Sequence, residues 1–130
     1  MKATHTISTN TLLSTLWIVV MFSVLKADIL SLFIPGTTEE LAKAASSTGA
    51  SIPQLMLFGA VMGTVGVAMI FLSRALEQRA NRWANMIVSP LYILYIVGGG
   101  VSYPHYIFLA TVEVCCLIVI FWNAWKWYRV

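Results

Sequence analysis

The chain has 130 residues, 59% of them apolar and 10% charged, with a formal charge of +3. Soluble domains carry roughly 25% charged residues, so this composition excludes an ordinary water-facing surface, and lipid is the solvent that accommodates it. The basic residues form no clustered face beyond one short arginine-rich loop, which argues against a nucleic-acid partner.

A helix needs about 20 mostly apolar residues to cross the hydrocarbon, and four stretches qualify. The polar segment Met1–Asn10 precedes the first, Leu12–Ile34, which is interrupted by Lys26 and Asp28. This run is too long for the apolar core of a signal peptide and lacks a small-x-small cleavage site, so it reads as a retained helix. Pro35-Gly36 stops it. Thr37–Ser46 follows as a short helix, with Thr37 and Glu40 at capping-box spacing. Ser51 and Pro53 open the second span, Ile52–Leu72, which carries no charge. Its Gly59, Gly63 and Gly66, with Ala60, Thr64 and Ala68 alongside, are expected to let helices approach closely, within one bundle in preference to a dimer face.

The loop Arg74–Arg82 is basic, and its expected role is to fix topology and touch anionic headgroups. The third span, Trp83–Val101, contains Ser89-Pro90, where a bend is expected because proline removes a helix hydrogen bond. Asn85, Ser89, Tyr92, Gly99 and Tyr103 gather on one side of it and should face the bundle interior. Gly98-Gly99-Gly100 frays this span, and Pro104 opens the fourth, Tyr106–Trp125, interrupted only by Glu113. Cys115 and Cys116 read as two small buried hydrophobes, since they lack redox spacing. The alternation a membrane barrel requires is absent. The expected fold is therefore all-α, a four-transmembrane-helix bundle forming one domain over residues 1–130, with a short extra helix near 37–46 in the first outer loop.

Basic residues fall unevenly about these spans. Lys2, Arg74, Arg79, Arg82, Lys126 and Arg129 lie on one side and Lys43 alone on the other, so the positive-inside rule puts both termini in the cytoplasm. Trp83, Trp122, Trp125 and Trp127 fall at the cytoplasmic interface and Trp17 near it, while Tyr103 and Tyr106 mark the opposite face.

Lys26, Asp28 and Glu113 are the residues that need explaining, because an ionisable side chain within the membrane costs several kcal/mol unless it has a partner, a wet cavity or a function. Asp28 lies ~9 Å and Glu113 ~10 Å below the outer end of their spans, so both are expected in the outer half. Lys26 lies about 200° around its helix from Asp28, which leaves it to snorkel outward or to pair with Glu113. If the first helix begins near Ile7, Lys26 and Asp28 are merely solvated at the interface, and Glu113 has a packing role as its alternative. The site reading gathers Asp28, Glu113, Tyr92, Tyr103 and Tyr106, with His105 at the mouth, to bind a cation or relay protons. Local metal-ligand spacing is absent, so neither metal nor cofactor is expected.

Several segments carry a resemblance: Leu13-Ser-Thr-Leu-Trp17, Ala27-Asp28-Ile29, Pro35-Gly36 with Glu39-Glu40-Leu41, Asn81-Arg-Trp-Ala-Asn85, Thr111-Val-Glu113 and Ala124-Trp-Lys-Trp127. They resemble an uncharacterised, domain-of-unknown-function family of small bacterial four-helix integral membrane proteins. The resemblance implies a bacterial inner-membrane location and brings no activity with it. Small multidrug-resistance transporters are similar only in plan, since their membrane acid lies in the first helix within a different motif.

Two functional classes follow from the residues. One is a multi-pass protein that binds or transports a small cation, proton or amphiphile through the outer-half carboxylates. The other is a structural or accessory membrane subunit, alone with lipid, as a homo-oligomer or beside a partner membrane protein. An enzyme acting on lipid or quinone ranks below both, because no nucleophile–base pair or phosphate loop is readable.

Overall fold

The computed structural model describes residues 7–98 and 103–127, apart from the side chains of Thr37, Leu41 and Ala44. Lys2, Gly99, Gly100, Val101 and Arg129 lie outside the described residues. Every regular element described is helical: α1 (Thr9–Ser31), α2 (Thr37–Thr48), α3 (Ile52–Ala75), α4 (Gln78–Gly98) and α5 (Pro104–Lys126).

Local chemistry sets several of the boundaries. Ser51 caps α3, its side chain accepting from the Gln54 N–H while the Gln54 side chain accepts from the Ser51 N–H, and Pro53 sits in the first turn, where no helical N–H is needed. Pro104 opens α5 in the same way. Gly36, at φ 86°, takes the N-cap position of α2, so Thr37, expected as the cap of a box with Glu40, is the first helical residue. Gly49, at φ 74°, closes α2 in the left-handed conformation that glycine adopts without steric cost.

Among the described residues three helices, not four, are long and apolar enough to cross a membrane: α1, α3 and α5. The span expected at Trp83–Val101 is the exception. The 21-residue α4 has the length, but Asn81, Arg82, Asn85 and Ser89 lower its apolar character. α4 also begins earlier than expected and runs through Pro90 as one helix.

α1 packs against α5 and α3, α5 packs against α4, and α3 touches α4 less closely. The directions are legible in two contacts. The Gln78 side chain donates to the Trp127 carbonyl at 2.9 Å, which joins the start of α4 to the end of α5. Ser31 Oγ lies 3.4 Å from His105 Nε2, which joins the end of α1 to the start of α5. Leu13, Trp17 and Val20 of α1 meet Met62 and Met69 of α3, Tyr92 and Ile96 of α4, and Leu117 and Ile120 of α5 in a shared core. Cys115 is exposed and Cys116 half-buried, so the expectation of two buried cysteines is corrected: Cys115 points off the outer face of α5.

The end of the molecule near Arg74 is held by polar groups. Trp17 Nε1 donates to Asn85 Oδ1 at 2.8 Å. Asn85 Nδ2 donates to Asn81 Oδ1 at 2.6 Å, and Asn81 Nδ2 donates to the Ser73 carbonyl at 2.6 Å. Ser14 Oγ donates to the Ile70 carbonyl at 2.8 Å and accepts from Arg74 Nε at 3.2 Å. Trp17, Ser14, Ser73, Asn81 and Asn85 are buried and satisfied, the condition under which buried polar networks hold helices in one arrangement, and the exposed Arg74 joins them from the edge. Arg74 is thus part of α3, not of the following loop, and Trp17 is buried in this network.

Candidate functional site

At the opposite end, three helices enclose a narrow cavity of about 100 Å³ lined by Val24, Ala27 and Asp28 of α1, Tyr95 and Ile96 of α4, and Tyr106 and Glu113 of α5. The two carboxyl groups occupy different depths. Asp28 lies three residues before the end of α1, or about 5 Å in, and is exposed. Glu113 lies nine residues into α5, about 14 Å in, and is only 3% exposed. Asp28 therefore stands at the mouth and Glu113 at the floor. Helical spacing explains the α5 wall, since positions 106 and 113 are seven apart and share a face.

Glu113 Oε1 is buried without a hydrogen-bond partner among the described residues. Most buried polar atoms in folded proteins have one, so an exception points to strain, function or an occupant. Lys26, the candidate counter-charge, is exposed and does not line the cavity, and no ion pair joins it to Glu113.

Above the mouth lies a second polar group. His105 Nε2 meets Ser31 Oγ, one turn beyond Asp28, and the His105 ring stacks on Tyr103 with centroids 6.1 Å apart. The Tyr103 hydroxyl donates to Glu40 Oε1 of α2 at 3.3 Å. The Glu40 carboxylate beside it, some burial and this hydrogen bond push the Tyr103 hydroxyl above its ordinary pKa. His105 and Tyr103 thus stand near the entrance, not on the cavity wall.

Tyr92 lies elsewhere. It is fully buried, with its hydroxyl donating to the Met62 carbonyl of α3 and its ring edge-on to Trp17 at 5.5 Å. Tyr95, which the sequence reading did not single out, takes the place on the wall. It follows Tyr92 by three residues, so both lie on neighbouring lines of α4, and the available signal was that spacing. The glycines also separate. A side chain at Gly66 would collide with Met21 Sδ and come 2.7 Å from the Tyr92 hydroxyl; at Gly59 it would only touch the Tyr95 hydroxyl; at Gly63 it would meet open space. Gly66 thus makes room for a tyrosine and a methionine, not for another backbone.

Chemically, the cavity offers two carboxyl groups and two phenols. Among the described residues no group of three His, Cys, Asp or Glu side chains is placed to hold a metal ion. A volume near 100 Å³ has room for about three waters, at roughly 30 Å³ each.

No curated protein and no solved structure matches the chain. The model of a family of unknown function, DUF6326, matches residues 4–130, and the chain belongs to that family.

Proposed function

We propose that this is a multi-pass membrane protein that binds a proton or a small cation at Glu113, with Asp28 at the entrance. The observation that carries the reading is the buried, unpartnered Glu113 carboxyl in a cavity it shares with a second carboxyl. An unpaired carboxylate removed from water costs several kcal/mol, and a proton or a bound cation removes that cost. Were the charges there only for packing, Glu113 and Lys26 would be expected to pair, yet Lys26 is exposed and does not line the cavity. The volume favours a proton or small ion over a whole amphiphile, since pockets for drug-sized ligands measure about 300–1,000 Å³.

The membrane frame of this reading is four crossings. α5 starts beside the end of α1, and α3 returns from that end. α3 and α5 therefore run the same way, and the chain must come back between them; α4 is the helix there. Its 21 residues span about 32 Å, close to the hydrocarbon thickness of about 30 Å. Its polar residues Asn81, Asn85 and Ser89 are buried, whereas Ile87, Leu91, Leu94 and Val97 are exposed, so it offers lipid an apolar face. The exposed Trp83 and Trp122 lie beneath Arg82 and Lys126, at 5.5 and 4.8 Å, at the end that the charge count assigns to the cytoplasm. In this frame the termini are cytoplasmic, the cavity opens outward and the membrane is the bacterial inner membrane.

Glu113→Gln tests the reading. The amide keeps the shape and removes the charge, so stability should change by less than ~1 kcal/mol, because no hydrogen bond to Oε1 is lost. Thermal unfolding of the purified parent should shift with pH or added NaCl, and that of the variant should not. A variant that fails to fold or assemble would instead support the accessory-subunit role.

A further inference from the structure

Beside the cavity, a second space of about 430 Å³ runs between α4 and α5 on the outer surface, lined by apolar groups such as Val97, Ala110 and Val114, with Thr111 and Cys115 at its edge. Ile96 and Tyr106 line both spaces. We propose that cavity and groove form one site for an alkylammonium ion: the ammonium sits against Glu113 and Asp28, and the hydrocarbon chain lies along α4 and α5.

This inference rests on the cation reading above and names the class of cation. Three features carry it. The head site is acidic and, among the described residues, lacks a counter-charge: Asp28 and Glu113 line it, Glu113 Oε1 has no partner there, and Lys26 is absent from the wall. An ammonium brings three N–H donors, enough to serve both carboxyl groups and a phenol. The head site is also too small for anything beyond the head, so a chain has to leave it, and the adjoining space is apolar. Finally, the groove faces outward, with Val97, Ile107 and Cys115 exposed, so a ligand already dissolved in the bilayer reaches it from the side.

The two parts contribute differently. Lipid tails are as apolar as the groove, so the chain gains little by moving from one to the other. Its role is to bring the charge to the level of the cavity, and the groove decides which chains fit. Affinity measured against the bilayer should therefore reside in the head.

The test uses the full chain in phosphatidylcholine nanodiscs, with modification of Glu113 by dicyclohexylcarbodiimide read by mass spectrometry. Decylamine should protect Glu113 at a bulk concentration at least about tenfold lower than ethylamine. Ala110→Phe and Thr111→Phe each place a ring in the groove. Each should weaken protection by decylamine about tenfold while leaving protection by ethylamine unchanged, which also reports that the variant is folded. Equal protection by decylamine in the parent and both variants would overturn the proposal, as would equal protection by uncharged decanol. Protection by Na⁺ or ethylamine but not by decylamine rejects a long-chain ammonium lying in the groove and leaves the cation reading standing. Protection by none of the three removes both.

Discussion

At Gly66 a missing methyl group decides how two helices meet. The Tyr92 hydroxyl reaches the Met62 carbonyl only because α3 presents no side chain at that point. Gly66→Val should therefore destabilise the protein by about 1–3 kcal/mol through overpacking. Gly63→Ala, which meets open space, should stay within about 0.5 kcal/mol of the parent. Thermal unfolding of the two purified variants separates a side-chain seat at Gly66 from a general small-residue stripe, which would make both costly. The same contact explains why Tyr92, expected at the site from sequence, stands in the core while Tyr95 lines the cavity. Three-residue spacing places Tyr92 and Tyr95 on neighbouring lines of α4, and which ring turns toward α3 depends on Gly66 lying opposite.

At the scale of elements, the two ends of the helix assembly are built from different chemistry. Near Arg74, Asn85 joins α1, α3 and α4 by accepting from Trp17 and Ser73 and donating to Asn81. Asn85→Ala would strand the buried Trp17 N–H and should cost about 1–3 kcal/mol, measurable by chemical or thermal unfolding. Near His105, the tie between α2 and the start of α5 is the Tyr103–Glu40 hydrogen bond, which is titratable. Because the Tyr103 pKa is raised, the tie is present while the phenol is protonated and is lost as pH rises through the raised value. Glu40→Gln should return the Tyr103 transition toward its ordinary range. An alkaline ultraviolet titration, with Tyr103→Phe to identify the transition, checks this; an unmoved transition would reject Glu40 as the cause.

For the whole molecule, the decisive property is the number of crossings. With four, the turn between α3 and α4 and the start of α5 lie on opposite sides of the membrane. Single cysteines at the exposed positions Arg79 and Pro104, with Cys115 and Cys116 replaced by serine, should react with an impermeant maleimide from opposite sides of oriented vesicles. Labelling of both from one side would leave α4 outside the membrane and dismantle the frame in which the cavity opens outward.

The sequence by itself determined the helical class, α1, α3 and α5 as apolar helices of membrane length, and Asp28 and Glu113 as the residues to explain. Apolar run length and the cost of a charge in lipid are properties of a segment alone, and both are readable in one dimension. It also placed Asn85, Ser89 and Tyr92 on one stripe of α4, because a stripe follows from the helical period. Tertiary structure decided what the stripe faces and how the polar groups are shared. Asn81 and Asn85 find their partners on α1 and α3, Tyr95 takes a place on the cavity wall while Tyr92 turns into the core, and Lys26 is left outside. Only tertiary structure could bring Asp28 and Glu113 to one cavity, at its mouth and at its floor. That meeting depends on how α1 and α5 are rotated and shifted against each other, which packing fixes and no spacing along the chain records.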